Sequence, residues 1–230
     1  MKFEPPLNAR MSRWTLLALV LFGHLWVVGC AGPMSAPSAL MVKAARPASA
    51  PPADKTLVCI HRPWKKQQPA LYEALIGMAW ASDTDPVDEK GHTRYTSIWD
   101  GGHLIADLGN GNSAAYVCDP GTRYFINQSS LGNGVVEANL LPGQTYDLWV
   151  NVDSGFLFVR PSILLEPVKS DSKERALIPK WERKNHWVER GPAAAGEEQL
   201  RHVKIDLILH EYISGDHTNR LLHLATWDHR

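Results

Sequence analysis

The sequence has no excess of charge of either sign, because its 24 lysines and arginines balance 24 aspartates and glutamates. It therefore lacks the basic footprint of a nucleic-acid-binding protein, and it has no acidic tail. It also lacks a GxSxG nucleophile elbow and an HExxH zinc motif, and it contains only 3 cysteines. The sequence therefore shows none of these motifs from which a catalysed reaction could be identified. The 230 residues, of which 44% are hydrophobic, provide enough bulk for one or two modest domains.

An apolar run from Trp14 to Val28 follows two arginines and leads to Cys30. About fifteen helical residues rise only ~22 Å, which is shorter than the ~30 Å hydrocarbon core of a membrane. The run therefore favours the apolar region of a signal peptide over a permanent span. Its end, Val-Val-Gly-Cys, resembles the lipobox of bacterial lipoproteins, in which the cysteine carries a diacylglyceryl group and begins the mature chain. The resemblance implies a signal peptide over residues 1–29 and lipidation at Cys30; an uncleaved anchor helix is the alternative.

The residues after Cys30 indicate where in the cell envelope the protein is expected to lie. Because Ala31 and not aspartate comes next, the resemblance implies transport to the outer membrane, with the protein facing the periplasm. Each buried methylene contributes on the order of 0.8 kcal/mol, so two or three acyl chains hold a protein on a membrane. Residues 30–54 are rich in alanine, proline and serine, which predicts an extended tether between the lipid and the following domain.

Beyond the tether, short apolar runs alternate with turn residues about every eight to twelve positions, which is typical of an antiparallel sandwich. Glycine-containing turns at 100–102, 119–121 and 141–144 support this division. The expected strands are Thr56–His61, Tyr95–Trp99, His103–Leu108, Ala114–Cys118, Arg123–Asn127, Val135–Leu140, Thr145–Val150 and Phe156–Leu165. Residues 67–90 interrupt the pattern with a candidate short helix at Ala70–Trp80 and a polar loop.

Several turn and strand motifs carry a resemblance to a known group of proteins. They are Arg62-Pro63, Trp99-Asp100-Gly101, Ile105-Ala106-Asp107-Leu108, Asp119-Pro120-Gly121-Thr122-Arg123-Tyr124 and Leu141-Pro142-Gly143-Gln144-Thr145-Tyr146. In this order they resemble a family of small bacterial lipoproteins built on an uncharacterised Ig-like β-sandwich domain. The resemblance implies a mainly β fold, an antiparallel Ig-like β-sandwich over residues 55–168. It implies no catalytic residues, because none is established in that family.

The remaining residues, 169–230, are expected to form a largely helical C-terminal extension. Glu182–Arg190 is predicted to be a helix that ends before a Gly-Pro pair, and Ala194–Ile213 is predicted to be a second helix. The apolar residues between Val203 and Leu209 alternate strictly, however, which is typical of a strand. A hairpin through 214–219 into Leu221–Thr226 is therefore the alternative to the second helix.

Cys59 and Cys118 lie on predicted strands of a chain expected to be exported into an oxidising compartment. If those strands are neighbours, a disulfide would close a long loop and stabilise the fold by about 4 kcal/mol. The alternative is that both are small buried hydrophobic residues. Neither is accompanied by a motif for nucleophilic catalysis, so no catalytic residue is predicted.

Two further features suggest alternatives from other functional classes. On a helix, His202, Asp206 and His210 stand at i, i+4 and i+8, so they are candidate zinc ligands, although ordinary solvated residues fit equally. Exposed tryptophans stack on sugars or on partner side chains. Seven tryptophans follow residue 29, and packing of the extension onto the sandwich would also use them: Trp64, Trp80, Trp99, Trp149, Trp181, Trp187 and Trp227.

Together these observations favour a lipid-anchored cell-envelope protein that acts as a non-catalytic binding or structural module without a cofactor. Its expected contacts are the membrane, through Cys30, and an envelope protein or glycan, with no nucleic acid. The alternatives are a metal-dependent envelope enzyme that uses His202, Asp206 and His210, and a carbohydrate-binding module.

Overall fold

The computed structural model of the chain describes residues 37–47, 50–64, 95–129, 131–153 and 162–230. The signal segment, Cys30 and the candidate helix Ala70–Trp80 lie outside the described residues. Within these ranges the fold is mainly β: two sheets pack face to face, and helices cover parts of their outer faces.

The strands and helices have the following bounds. Sheet 1 contains, in spatial order, β1 (Met41–Lys43), β10 (His186–Arg190), β5 (Asn112–Cys118), β2 (Thr56–Arg62), β8 (Thr145–Asp153) and β9 (Ser162–Pro167). Sheet 2 contains β11 (Leu222–Leu224), β7 (Gly132–Leu140), β6 (Gly121–Ser129), β3 (Tyr95–Asp100) and β4 (His103–Gly109). The α-helices are α1 (Ile178–Lys184) and α2 (Ala194–Ile213).

The core lies between the two sheets, and alternation along the strands explains its composition. On β2, Val58 and Ile60 join the central apolar cluster, while Leu57 and Cys59 point to the opposite face of sheet 1. Every residue of β2 is buried, because the outer face of sheet 1 is also covered. A strand buried on both faces loses the polar alternation that a solvent-facing strand shows.

The expectation of an antiparallel sandwich is wrong in part, because both sheets are mixed. The pairs β2–β8 and β10–β5 in sheet 1 are parallel, and so is β11–β7 in sheet 2. Parallel neighbours cannot be joined by a tight turn, so their residues lie far apart in the chain and no local turn signal announces them. The hairpins β3–β4 and β6–β7 are antiparallel, as their short turns predict.

The C-terminal residues confirm one helix and correct the other. Helix α2 has the predicted bounds, and the hairpin alternative is wrong. The predicted helix Glu182–Arg190 is also wrong: α1 ends at Lys184, and β10 follows it. Trp187 and Val188 are buried on opposite faces of sheet 1, where β10 fits between β1 and β5. Burial on both faces explains why adjacent apolar residues occur there.

The predicted tether 30–54 contains an ordered strand. Met41 of β1 is 5% exposed and belongs to the central core, and the amide of Gly191 donates to the carbonyl of Leu40 at 2.8 Å. An unbranched methionine can fill an irregular gap in a core, and the partly buried Leu40 beside it packs against the same cluster, so these two residues anchor the stretch.

Helix α2 covers the outer face of sheet 2. The carboxylate of Glu198 accepts from the amide of Leu104 at 2.8 Å, forms an ion pair with Arg190 at 2.9 Å and lies 3.0 Å from His103 Nδ1. Near the other end of the helix, the hydroxyl of Tyr212 donates to the carbonyl of Asn133 at 2.6 Å. These contacts fix both ends of α2 on the sheet. No helix in the described ranges is long and apolar enough to cross a membrane.

Candidate functional site

Three neighbouring strands bring a serine, a histidine and an aspartate together on the outer face of sheet 1. His61 on β2 is the register partner of Ser113 on β5 and of Trp149 on β8. Asp147 lies two residues before Trp149, so strand alternation places it on the same face. His61 Nδ1 is 2.9 Å from Ser113 Oγ, and Nε2 is 3.2 Å from Asp147 Oδ1. We call these three residues the His61 triad.

The hydrogen bonds of the His61 triad run from serine to histidine to aspartate, as in a catalytic triad that activates the serine hydroxyl. If the ring proton is on Nε2, the imidazole donates to Asp147 and its Nδ1 accepts from the Ser113 hydroxyl. In hydrolases this arrangement withdraws the hydroxyl proton as the oxygen attacks a carbonyl. The attack requires that the substrate reaches the hydroxyl oxygen.

In this structure, burial prevents a substrate from reaching the Ser113 hydroxyl. All three residues of the His61 triad are buried, and the His61 and Asp147 side chains are 0% exposed. The side-chain amide of Asn185 donates to Ser113 Oγ at 2.9 Å, and the rings of Trp181 and Trp187 lie 5.7 and 5.8 Å from the His61 ring. Since the tryptophans pack on the histidine ring and Asn185 bonds the serine hydroxyl, the arrangement serves internal hydrogen bonding in this conformation.

A network of ion pairs continues from the triad. Asp147 Oδ2 is 3.2 Å from Nε of Arg230 and 3.6 Å from Nη1 of Arg175. Glu182, whose side chain is 8% exposed, bonds Arg230 through one carboxylate oxygen and Arg46 through the other, each at 2.5 Å. Two buried carboxylates thus face three guanidinium groups. A buried charge is tolerated only when it is paired in this way.

Arg230 is the centre of this network. Besides both carboxylates, its guanidinium contacts Cys59 Sγ at 3.3 Å, and its backbone amide donates to the carbonyl of Thr145 at 2.9 Å. Burial disfavours the charged guanidinium, but Asp147 and the other acidic groups more than offset this, and the pKa of Arg230 is raised. The side chain therefore stays charged and fastens the last residues of the sequence across β2 and β8.

The predicted disulfide is wrong, because Cys59 and Cys118 are free. Their strands are neighbours, but Cys59 pairs with Ala115 and Cys118 pairs with Thr56. The offset of three residues places the sulfurs on opposite faces of sheet 1, in separate clusters. Burial raises the pKa of Cys59 to about 12 and that of Cys118 to about 11, so both thiols stay protonated and unreactive at neutral pH.

Two further titratable residues, Arg62 and Asp107, are buried in the fold. Burial lowers the pKa of Arg62 to about 10, and its Nη1 donates to the carbonyl of Leu108 at 2.6 Å. Burial also raises the pKa of Asp107, although hydrogen bonds from Ser38 and Ser97 oppose this effect. These groups join β2, β4 and the residues before β1, and they have no access to a substrate.

The candidate zinc ligands do not converge. His202, Asp206 and His210 are exposed along α2, and positions i and i+8 on a helix are about 12 Å apart along the axis. A zinc ion holds its ligands at about 2 Å, so these three cannot share one ion. Among the described residues no group of three or more histidine, cysteine, aspartate or glutamate side chains is placed to hold a metal.

The tryptophans divide between the core and the surface. Trp99 is fully buried beneath α2, and Trp181 and Trp187 are each 7% exposed against the His61 triad. Trp149 stacks on Trp181 with ring centroids 5.8 Å apart. Trp64 and Trp227 are exposed, and Trp80 lies outside the described residues. Packing of the C-terminal residues therefore uses several of the rings that sequence analysis offered as sugar-stacking candidates.

Sequence analysis missed the His61 triad and the role of Arg230. The three residues are separated by long stretches of sequence, and a parallel pairing, β2 with β8, brings Asp147 to His61. One signal was present: β2 carries two polar residues, His61 and Arg62, at the end of an otherwise apolar strand. A titratable residue in a strand buried on both faces requires a buried partner.

No protein-family profile, no curated protein and no solved structure matches the chain.

Proposed function

We propose that this protein is a lipid-anchored protein of the cell envelope, held at Cys30 in the outer membrane and facing the periplasm. In this proposal it acts as a non-catalytic binding or structural module. We further propose that its two face-to-face sheets correspond to an Ig-like sandwich with additional parallel strands and covering helices. The lipobox-like end of the apolar segment supports the anchor, and the resemblance of the turn motifs to small bacterial lipoproteins supports the class.

The non-catalytic part of the proposal depends on one observation. The best nucleophile-activating arrangement in the described part of the chain, the His61 triad, is buried behind two tryptophans and Asn185. A catalytic triad must present its hydroxyl at a cleft. In this proposal the serine, histidine and aspartate have a structural role, because their hydrogen bonds join three neighbouring strands of sheet 1.

The specific competitor is a serine hydrolase whose site opens by movement of α1 and Arg230. A fluorophosphonate probe, which phosphonylates activated serines, distinguishes the two functions. We expect no labelling of the wild-type protein beyond that of Ser113→Ala, with a known serine hydrolase as positive control. Labelling that disappears in Ser113→Ala would overturn the non-catalytic proposal.

The anchor is tested by the intact mass of the protein extracted with detergent from membranes of cells that produce it. We expect a chain that begins at Cys30 and carries acyl groups, and we expect Cys30→Ala to be neither acylated nor cleaved at this position. A full-length, unmodified wild-type mass would refute the lipid anchor and would favour an uncleaved anchor helix.

A further inference from the structure

The outward face of α2 carries three exposed apolar side chains among its polar ones. Leu200, Val203 and Leu207 recur at the spacing i, i+3, i+7 and are 80%, 67% and 58% exposed. We call these three residues the α2 stripe. The inward face of the same helix is occupied by a different set of side chains: Ala194, Ile205, Ile208 and Tyr212. Apolar side chains thus occur on two sides of the helix, and packing on sheet 2 accounts for only one of these two sets.

The path of the chain before β1 places the lipid-bearing segment beside this helix. Leu40 packs against the apolar cluster beneath α2, and its carbonyl accepts from the amide of Gly191, just before the helix begins. Upstream of Leu40, Ser38 is buried, and its hydroxyl bonds the carboxylate of Asp107, which also interacts with Arg201 of α2. The chain therefore enters the described structure against α2.

The remaining length up to Cys30 is short. Residues 30–37 span at most about 25 Å when fully extended, whereas α2, with 20 residues, is about 30 Å long. Because the predicted tether is interrupted by the docked residues around β1, the domain cannot extend far from an acylated Cys30. The side of the domain nearest to the bilayer is then the side that carries α2.

We propose that the α2 stripe lies on the surface of the lipid bilayer. This inference rests on the proposed lipidation at Cys30, which holds the domain within reach of the membrane. The apolar side chains enter the region between headgroups and acyl chains, and the exposed Lys204 beside them reaches headgroup phosphates with its ammonium group. The contact orients the sandwich, so that α1 and the outer face of sheet 1 point away from the membrane.

The test places a thiol-reactive nitrobenzoxadiazole label at Val203→Cys in the lipidated protein. The protein is reconstituted in phosphatidylethanolamine–phosphatidylglycerol vesicles, and quenching by aqueous iodide is measured. The matched control is Lys180→Cys, an exposed position on α1. The native Cys59 and Cys118 are buried and do not compete for the label. We expect iodide quenching to be lost at position 203 and retained at position 180.

Further measurements distinguish failure of the stripe proposal from failure of the lipid anchor. Quenching at position 203 should return when Leu200 and Leu207 are replaced by serine, because the apolar contact is then removed. Equal quenching at 203 and 180 in protein whose mass shows acylated Cys30 would overturn the stripe proposal and leave the anchor intact. Protection at 203 in unacylated protein that begins at Ala31, measured without vesicles and increasing with protein concentration, would instead indicate self-association and would overturn membrane contact. An unmodified Cys30 would refute the anchor itself.

Discussion

Replacement of Arg230 by alanine should destabilise the fold strongly, because it leaves Asp147 and Glu182 buried without their shared partner. The Asp147 side chain is 0% exposed and that of Glu182 is 8% exposed, while the side chain of Arg230 is 29% exposed. Breaking a fully buried ion pair costs about 3–5 kcal/mol. Arg175 and Arg46 remain as partial partners and Arg230 is partly solvated, so we expect about 2–3 kcal/mol, below that range.

The assay is reversible urea unfolding followed by tryptophan fluorescence. A loss of this size lowers the folding equilibrium constant roughly a hundredfold and shifts the unfolding midpoint by about 1 M urea. The matched control is Arg183→Ala, on the exposed side of α1, which should change stability by less than about 0.5 kcal/mol. Equal midpoints for Arg230→Ala and Arg183→Ala would refute the reasoning, because the carboxylates would then not depend on Arg230.

Three further predictions follow from buried groups. Because the pKa of Cys59 is raised to about 12, its thiol ionises in the unfolded chain before it does in the folded one, so stability falls as pH rises above 9. Between pH 8 and 10 the wild type should lose on the order of 1 kcal/mol more than Cys59→Ala, and parallel profiles in urea titrations would contradict this. Cys59 and Cys118 should give no mass change on reduction and no reaction with Ellman's reagent until the protein unfolds; a gain of two hydrogens would establish a disulfide. Gly134→Ala should cost about 1–3 kcal/mol, because the added Cβ would lie 2.6 Å from Asn127 Oδ1, whereas Gly196→Ala on α2 meets no atom within 4 Å and should be neutral or stabilising in thermal melts.

Local patterns predicted the strands well and their partners poorly. The run from Thr56 and the turns at Asp100-Gly101 and Gly143 identify strand positions within a few residues, because alternation and turn chemistry are local properties. The strand β10 was mistaken for a helix because its residues are stabilised by neighbours on both sides, β1 and β5, which are distant in sequence. Tertiary pairing overrides a local preference in such a segment.

The candidate site, like the strand pairing, could not be predicted from local sequence patterns. His61, Ser113 and Asp147 carry no shared motif, and their proximity exists only once β2 is placed between β5 and β8. For the zinc candidates, by contrast, the sequence predicted the local structure correctly but not the site. His202 and His210 fall on one helix as predicted, but helical rise separates them too far for a single ion. Spacing along one element could be read from the sequence, whereas distances between elements required the fold.

The strands β10 and β11 have a consequence for any fragment of this protein. A polypeptide restricted to residues 55–168 would lack both, so β5 and β7 would become bare edges with unpaired amides and carbonyls. It would also uncover the apolar side chains of Trp99, Leu104 and Ile126 that α2 shields. Open edges and an exposed apolar face together favour intermolecular association over folding. The sandwich and the residues after it are therefore one cooperative unit, and a soluble core would have to be expressed with both.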